Sequence, residues 1–145
     1  MRFKTDTMSL RSLKERLEAP TQIECSQRKI FFDIAQRLQL PMNSAALSVG
    51  VGGGIWDYFL LLNNSDVGNI CACDIVACPV KKEDRKMLMS LRKWNFLRIM
   101  PDAPLPFPGE RFDMVFHQDV IEHTKKPFLF FNAPGLKPSP LGEKL

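Results

Sequence analysis

An α/β fold, a Rossmann-like doubly wound parallel sheet with further helices ahead of it, is predicted by three observations. Short apolar runs bounded by turn residues alternate with segments of helical spacing, the pattern of βαβ units. The stretch Ala45 to Asp57 reads as a buried strand, a glycine turn and the start of a helix. The next apolar run, Ile70 to Cys73, ends in an acid, Asp74. Together these give a Rossmann-like arrangement in a chain whose 145 residues suffice for one domain and one hydrophobic core.

Taken in order, residues 9–19 alternate charge and leucine, with Leu10, Leu13 and Leu17 at helical spacing, Ser9 placed to cap and Pro20 to close. Thr21-Gln22-Ile23-Glu24 matches the capping box, in which hydroxyl and carboxylate reciprocally satisfy free N–H groups at a helix start. Ile23, Ile30, Phe31, Ile34, Ala35 and Leu38 then share one helical face, which is predicted to pack on the sheet, and Pro41 ends the helix. The first strand, 45–49, and the glycine turn follow. Ile55, Phe59 and Leu62, widened by Trp56 and Leu60, form a second apolar stripe and hence a helix. Residues 63–69 are a turn cluster, and 70–73 the second strand. A basic helix over 81–93 leads to a third strand at 96–99. Four prolines in residues 101–110 forbid helix there, and Phe112 to Phe116 is a fourth strand.

Four of the eight glycines fall in Gly50-Val51-Gly52-Gly53-Gly54. Glycine at such a turn makes positive φ angles cheap and leaves no Cβ between the backbone and a ligand. The following helix aims its first free N–H groups and its positive dipole end at the same place, so a nucleotide-like ligand fits there; a merely flexible loop is the alternative. A right-handed βαβ crossover brings the ends of both strands to one sheet edge, which puts Asp74 beside the turn and suits it to ribose hydroxyls. An ordinary surface acid is the competing reading.

Composition narrows the classes. Hydrophobic residues at 45% and charged residues at 25% are those of a folded globular domain. No apolar run approaches the roughly 20 residues of a bilayer span, and Met1 to Asp6 leads into a charged segment rather than a signal core, so a cytoplasmic location is expected. Four cysteines are too few for a disulfide scaffold. Cys71, Cys73 and Cys78 cluster, but two lie in an apolar run and no histidine is near, so no metal is assigned. The net charge of +4 is concentrated in Lys81, Lys82, Arg85, Lys86, Arg92, Lys93 and Arg98. Met87, Leu88 and Leu91 supply an apolar stripe behind these, so a solvated helix face is favoured over a nucleic-acid surface, and no nucleic-acid motif accompanies it.

The succession of Ser48-Val49-Gly50-Val51-Gly52-Gly53-Gly54, an acid after the second strand, Asp102-Ala103 before Leu105-Pro106-Phe107-Pro108, and Arg111-Phe112-Asp113-Met114-Val115-Phe116-His117-Gln118-Asp119-Val120-Ile121-Glu122-His123 resembles the class I S-adenosylmethionine-dependent methyltransferases, in particular the type 11 methyltransferase domain. It covers about Ala45 to Pro127. The resemblance implies S-adenosylmethionine as cofactor and transfer of its methyl group to an O, N or C atom of a small-molecule acceptor. It implies that Gly50, Gly52 and Gly54, with Val51 and Gly53 between them, pass under the methionine part and ribose. Asp74 would then take the ribose hydroxyls, Ile75 and Ala103 would meet the adenine, and Asp102 its amino group. His117 and Gln118 would lie under the methionyl group. Catalysis by positioning needs no general base; Glu122-His123 is the one candidate pair, with His123 the weak candidate for base.

Two departures bear on these expectations. The family usually has Asp or Glu where this chain has Ser48, which brings no charge, so weaker cofactor affinity is expected. The family fold has about seven strands and four are visible, so an incomplete methyltransferase fold is expected: an N-terminal helical segment (1–43), a partial S-adenosylmethionine-binding domain (44–132) and a proline-rich tail (133–145), as in a truncated product or a fragment. A half-sheet leaves an open edge that a protein partner could cover. A catalytically inactive docking subunit is therefore one competing reading. An NAD(P)-binding oxidoreductase is another, disfavoured because its Gly-x-Gly-x-x-Gly fingerprint would need glycine at Ile55.

Overall fold

The computed structural model describes residues 12–107, 109 and 111–117. Its elements run α1 (Leu13–Glu18), α2 (Gln22–Arg37), β1 (Ser44–Val49), α3 (Ile55–Asn63), β2 (Val67–Asp74), α4 (Lys82–Leu91), β3 (Lys93–Arg98) and β4 (Met114–His117). The four strands form one parallel sheet in the order β3-β2-β1-β4. This order explains the two covered faces. Both crossovers from β1 to β2 and from β2 to β3 move in the same direction, so right-handed winding puts α3 and α4 on the same face. The step from β3 to β4 returns past β1, and its connection must cross the other face.

Side chains alternate accordingly. Ala46, Ile70, Ala72, Trp94 and Met114 point to the helices and join Leu13, Ile55, Phe59, Leu60 and Leu88 in the larger core. Leu47, Val49, Cys71 and Cys73 point the other way and meet Ile99, Leu105, Phe107 and Phe112 of the returning connection. The described part of that connection holds no helix and covers this face, with Phe107 and Phe112 edge-on at 5.1 Å.

The N-terminal helices depart from expectation in two respects. The cap of α1 is Ser12, whose Oγ accepts the Glu15 N–H at 3.1 Å; Ser9 and Leu10 lie outside the described residues. In α2 the capping box forms as predicted, with the Glu24 N–H on Thr21 Oγ1 at 3.2 Å and the Thr21 N–H on Glu24 Oε2 at 3.1 Å. The predicted apolar face of α2, however, does not pack on the sheet. Ile23 is 65%, Ile30 61%, Ile34 53% and Leu38 40% exposed. Of the predicted face Phe31 does turn inward, contacting Trp56 at 5.3 Å and Phe116 at 6.0 Å, and the helix is rotated about it so that Glu24, seven residues earlier, is buried and tied to the cap and to Arg16. A buried, doubly bonded carboxylate and an aromatic cluster fix the rotation more firmly than the aliphatic stripe does.

Phe59 is the hub of the larger core at 1% exposure, with Trp56 edge-on at 5.7 Å and the Arg28 guanidinium 5.4 Å from its ring centre. Phe59→Ala is expected to lower unfolding free energy by about 3–5 kcal/mol, read in urea titration as a lower midpoint at unchanged slope.

Candidate functional site

The site begins where β1 runs out. Gly50, Gly52 and Gly54 take φ values of 69°, 53° and 87°, the left-handed region that side chains strain to reach. The turn is stitched to the end of β2: Gly50 N–H and Val51 N–H both donate to the Cys73 carbonyl, at 2.8 and 3.1 Å. One residue further, Gly52 N–H donates to Asp74 Oδ2 at 3.3 Å. Gly54 caps α3, and a Cβ there would make only ordinary contact with Val80 and Leu88 at 3.4 Å, so it is the left-handed backbone angle that calls for glycine. A Cβ at Gly52 would meet nothing within 4 Å, which leaves that side of the turn open.

Asp74 stands at the rim, half-buried, with its other oxygen accepting the Ile75 N–H at 2.8 Å. A carboxylate offers about four lone-pair sites, so these two backbone bonds orient it and leave capacity for two hydroxyls. Next to it is a cavity of about 460 Å³ lined by Ile75, Val76, Arg98, Ile99, Met100 and Pro101. Its wall is locked by the Ile99 N–H on the Asp74 carbonyl at 2.8 Å and by Arg98 Nε on the Ile75 carbonyl at 3.1 Å. Asp102, at φ 52°, and Ala103 continue from that wall. His117 ends β4 in register with Val49, one residue before Gly50. The structure therefore brings Gly50 to Gly54, Asp74, Ile75 and His117 to the carboxyl edge of the sheet, at the point between β1 and β4 where strand order reverses. Gln118, Glu122 and His123 lie outside the described residues.

Ser48 is in a different position from the turn glycines: it is buried, its side chain facing the helices. Its Oγ donates to Asp57 Oδ1 at 2.5 Å, and Trp94 Nε1 donates to Asp57 Oδ2 at 2.8 Å. Asp57 has 0% exposure. Burial pushes its carboxyl up from 3.8 to about 6, against the pull of the Ser48 and Trp94 hydrogen bonds. Its place in the first turn of α3 also sets it at the positive end of that helix. The charge absent at Ser48 is thus supplied from α3, behind the glycine turn. Sequence reasoning passed over Asp57 as a helix residue; the signal available was a lone acid in the otherwise apolar run Ile55 to Leu62. Arg98 gave no such signal.

The two thiols of β2 have no part in this chemistry. Cys71 and Cys73 are buried, which raises both, Cys73 to about 12, so they stay protonated. Among the described residues no group of three His, Cys, Asp or Glu side chains is placed to hold a metal.

No family model matches the sequence, and no curated protein is significantly similar to it. Solved structures do match its fold. The cyclase SpnF superposes with a TM-score of 0.67 at 18% identity, over 82% of this chain and 44% of that one. An S-adenosylmethionine-dependent methyltransferase from Aquifex aeolicus gives 0.60 at 18% identity, over 74% of this chain and 58% of that one. A protein assigned as a methyltransferase, in complex with the Trm112 methyltransferase activator of Haloferax volcanii, gives 0.58 at 17% identity, over 78% and 50%. The fold is the Rossmann-like α/β fold of the class I methyltransferases, and the chain spans about half the length of the structures it matches.

Asp57 makes stability depend on pH with a definite sign. The folded state holds the Asp57 proton more tightly than the unfolded chain, so its contribution is complete below 3.8 and is lost as pH rises through about 6. The loss is on the order of 3 kcal/mol. Thermal unfolding from about pH 4 to pH 7 is expected to show the wild-type midpoint falling by roughly 10 °C relative to Asp57→Asn. Ser48→Asp, which puts a second carboxylate against Asp57, is expected to cost about 3–5 kcal/mol at neutral pH.

Proposed function

We propose that the chain binds S-adenosylmethionine at the glycine turn and belongs to a methyltransferase acting on a small-molecule acceptor. The observation that carries this reading is the bond from Gly52 N–H to Asp74, which fixes a ribose-competent carboxylate against an open glycine turn beside an apolar cavity of about 460 Å³. The residues present fit such a ligand. Asp74 has capacity for the two ribose hydroxyls, Ile75, Ile99 and Met100 offer apolar surface to the purine, and the turn gives close backbone approach to the methionyl part. Asp102 and Ala103 are assigned to the adenine edge, and His117 to the methionyl end. The cofactor would supply an electrophilic methyl group on a sulfonium. The protein's own contribution is to hold that group in line with an acceptor atom, for which effective-molarity gains reach about 7–11 kcal/mol. His123 stays a candidate base within this proposal.

The SpnF likeness bears on the acceptor, since a protein named as a cyclase has this same fold and fold does not determine reaction. A second reading, a docking subunit without catalysis, is favoured by β3 and β4, which each have one strand neighbour among the described residues. The activator bound to the Haloferax volcanii protein lends that reading weight. No helix of the described residues is long and apolar enough to cross a membrane.

Isothermal titration of the chain with S-adenosylmethionine, with NAD as control, tests the proposal. Saturable binding of S-adenosylmethionine alone is expected, weakened by about a hundredfold or more in Asp74→Ala through loss of two charged hydrogen bonds. A folded sample that binds neither ligand would discard the enzyme reading and leave the docking subunit.

A further inference from the structure

The glycine turn has a charged group on each side. Beyond Gly52 lies the Asp74 carboxylate. Beyond Gly53 lies a cation: a Cβ on that glycine would be 3.7 Å from Nη1 of Arg16, which comes from α1. Arg16 is not a surface side chain that happens to pass by. It is 17% exposed, and its Nε donates to Glu24 Oε1 at 2.8 Å. Glu24, 5% exposed in its side chain, gives its second oxygen to the Thr21 N–H, so the carboxylate is itself held at both ends. The helix carrying Arg16 is anchored too, through buried Leu13, whose N–H donates to the buried Asp84 Oδ1 at 3.1 Å.

The consequence lies in how the guanidinium is used. A planar guanidinium has five N–H donors in a fixed fork. With the Nε edge committed to Glu24, the outer edge is presented by a rigid chain of contacts, and Nη1 sits over the turn. That outer edge matches a carboxylate in two-point fashion. A ligand lying across the turn therefore meets hydroxyl acceptors at Asp74 and a carboxylate site at Arg16. A nucleoside joined to an α-amino acid has hydroxyls and carboxylate in that order.

We infer that Arg16, positioned by Glu24, receives the carboxylate of an amino-acid-bearing nucleoside at the glycine turn and so selects such ligands over nucleosides that lack one. The inference rests on the functional reading above and deepens it, making the N-terminal pair α1 and α2 part of the binding site.

Two probes separate the roles: S-adenosylhomocysteine, which has the amino acid, and methylthioadenosine, which keeps the nucleoside and thioether but not the amino acid. In titrations of the full chain, Arg16→Gln is expected to weaken S-adenosylhomocysteine roughly tenfold to a hundredfold, the range of a charged hydrogen bond, and to leave methylthioadenosine within about twofold. Arg16→Lys is expected to restore little, since an ammonium cannot hold Glu24 and fork a carboxylate at once. Because Arg16→Gln leaves Glu24 buried and unpaired, the double variant Arg16→Gln, Glu24→Gln removes both charges; it is expected to show the same selective loss with a thermal midpoint near wild type. Equal loss for both probes, or none for either, in a folded variant overturns the inference while the functional reading stands. A wild-type chain that binds neither probe overturns both.

Discussion

One carbonyl holds the site to the sheet. The Cys73 oxygen accepts two successive N–H groups from the glycine turn, at 2.8 and 3.1 Å. Parallel pairing of β1 and β2 ends in register at Val49 and Cys73, so the turn starts where the ladder stops and these two bonds extend the ladder around the corner. The turn therefore cannot lift away from β2. Asp74, one residue further, is delivered to Gly52, and α3 starts from Gly54 with its axis aimed back at the same spot. The contact of Gly52 with Asp74 and the start of α3 both follow from that corner.

Behind the corner, the buried carboxylate of Asp57 ties β1, α3 and β3 together through Ser48 and Trp94. Pairing a buried carboxylate with only two neutral donors and a helix N-terminus leaves part of its desolvation cost uncompensated, which is what the raised proton affinity expresses. The interaction gives geometric definition more than net stability, since both donors and the acceptor are lost as a unit if any one shifts.

What was legible in the sequence is what short-range chemistry dictates. The strand, glycine turn and helix from Ser44 to Asn63, and Asp74 at the tip of β2, are each set by residues within a few positions of one another. The capping box at Thr21 and Glu24 was readable for the same reason. The facing of α2 was legible only in Phe31, because periodicity reveals a stripe and not which edge of it finds a partner; Glu24 through Arg16 and Phe31 through Trp56, residues from other helices, decided that. Asp57 and Arg98 were missed on similar grounds. Their roles depend on partners 37 and 23 positions away in sequence, Trp94 and Ile75, which only the folded sheet brings near.

The placement of the four thiols grades them by access. Cys25 is exposed on α2, Cys78 is half-buried after β2, and Cys71 and Cys73 are sealed in the middle strand pair. An alkylating reagent thus meets Cys25 in the native chain, while Cys71 and Cys73 are reached only in molecules whose cover of Leu105, Phe107 and Phe112 has lifted off the sheet. The chain carries its own clock: the rate at which the inner thiols are modified counts the openings of the connection that covers the second face of the sheet.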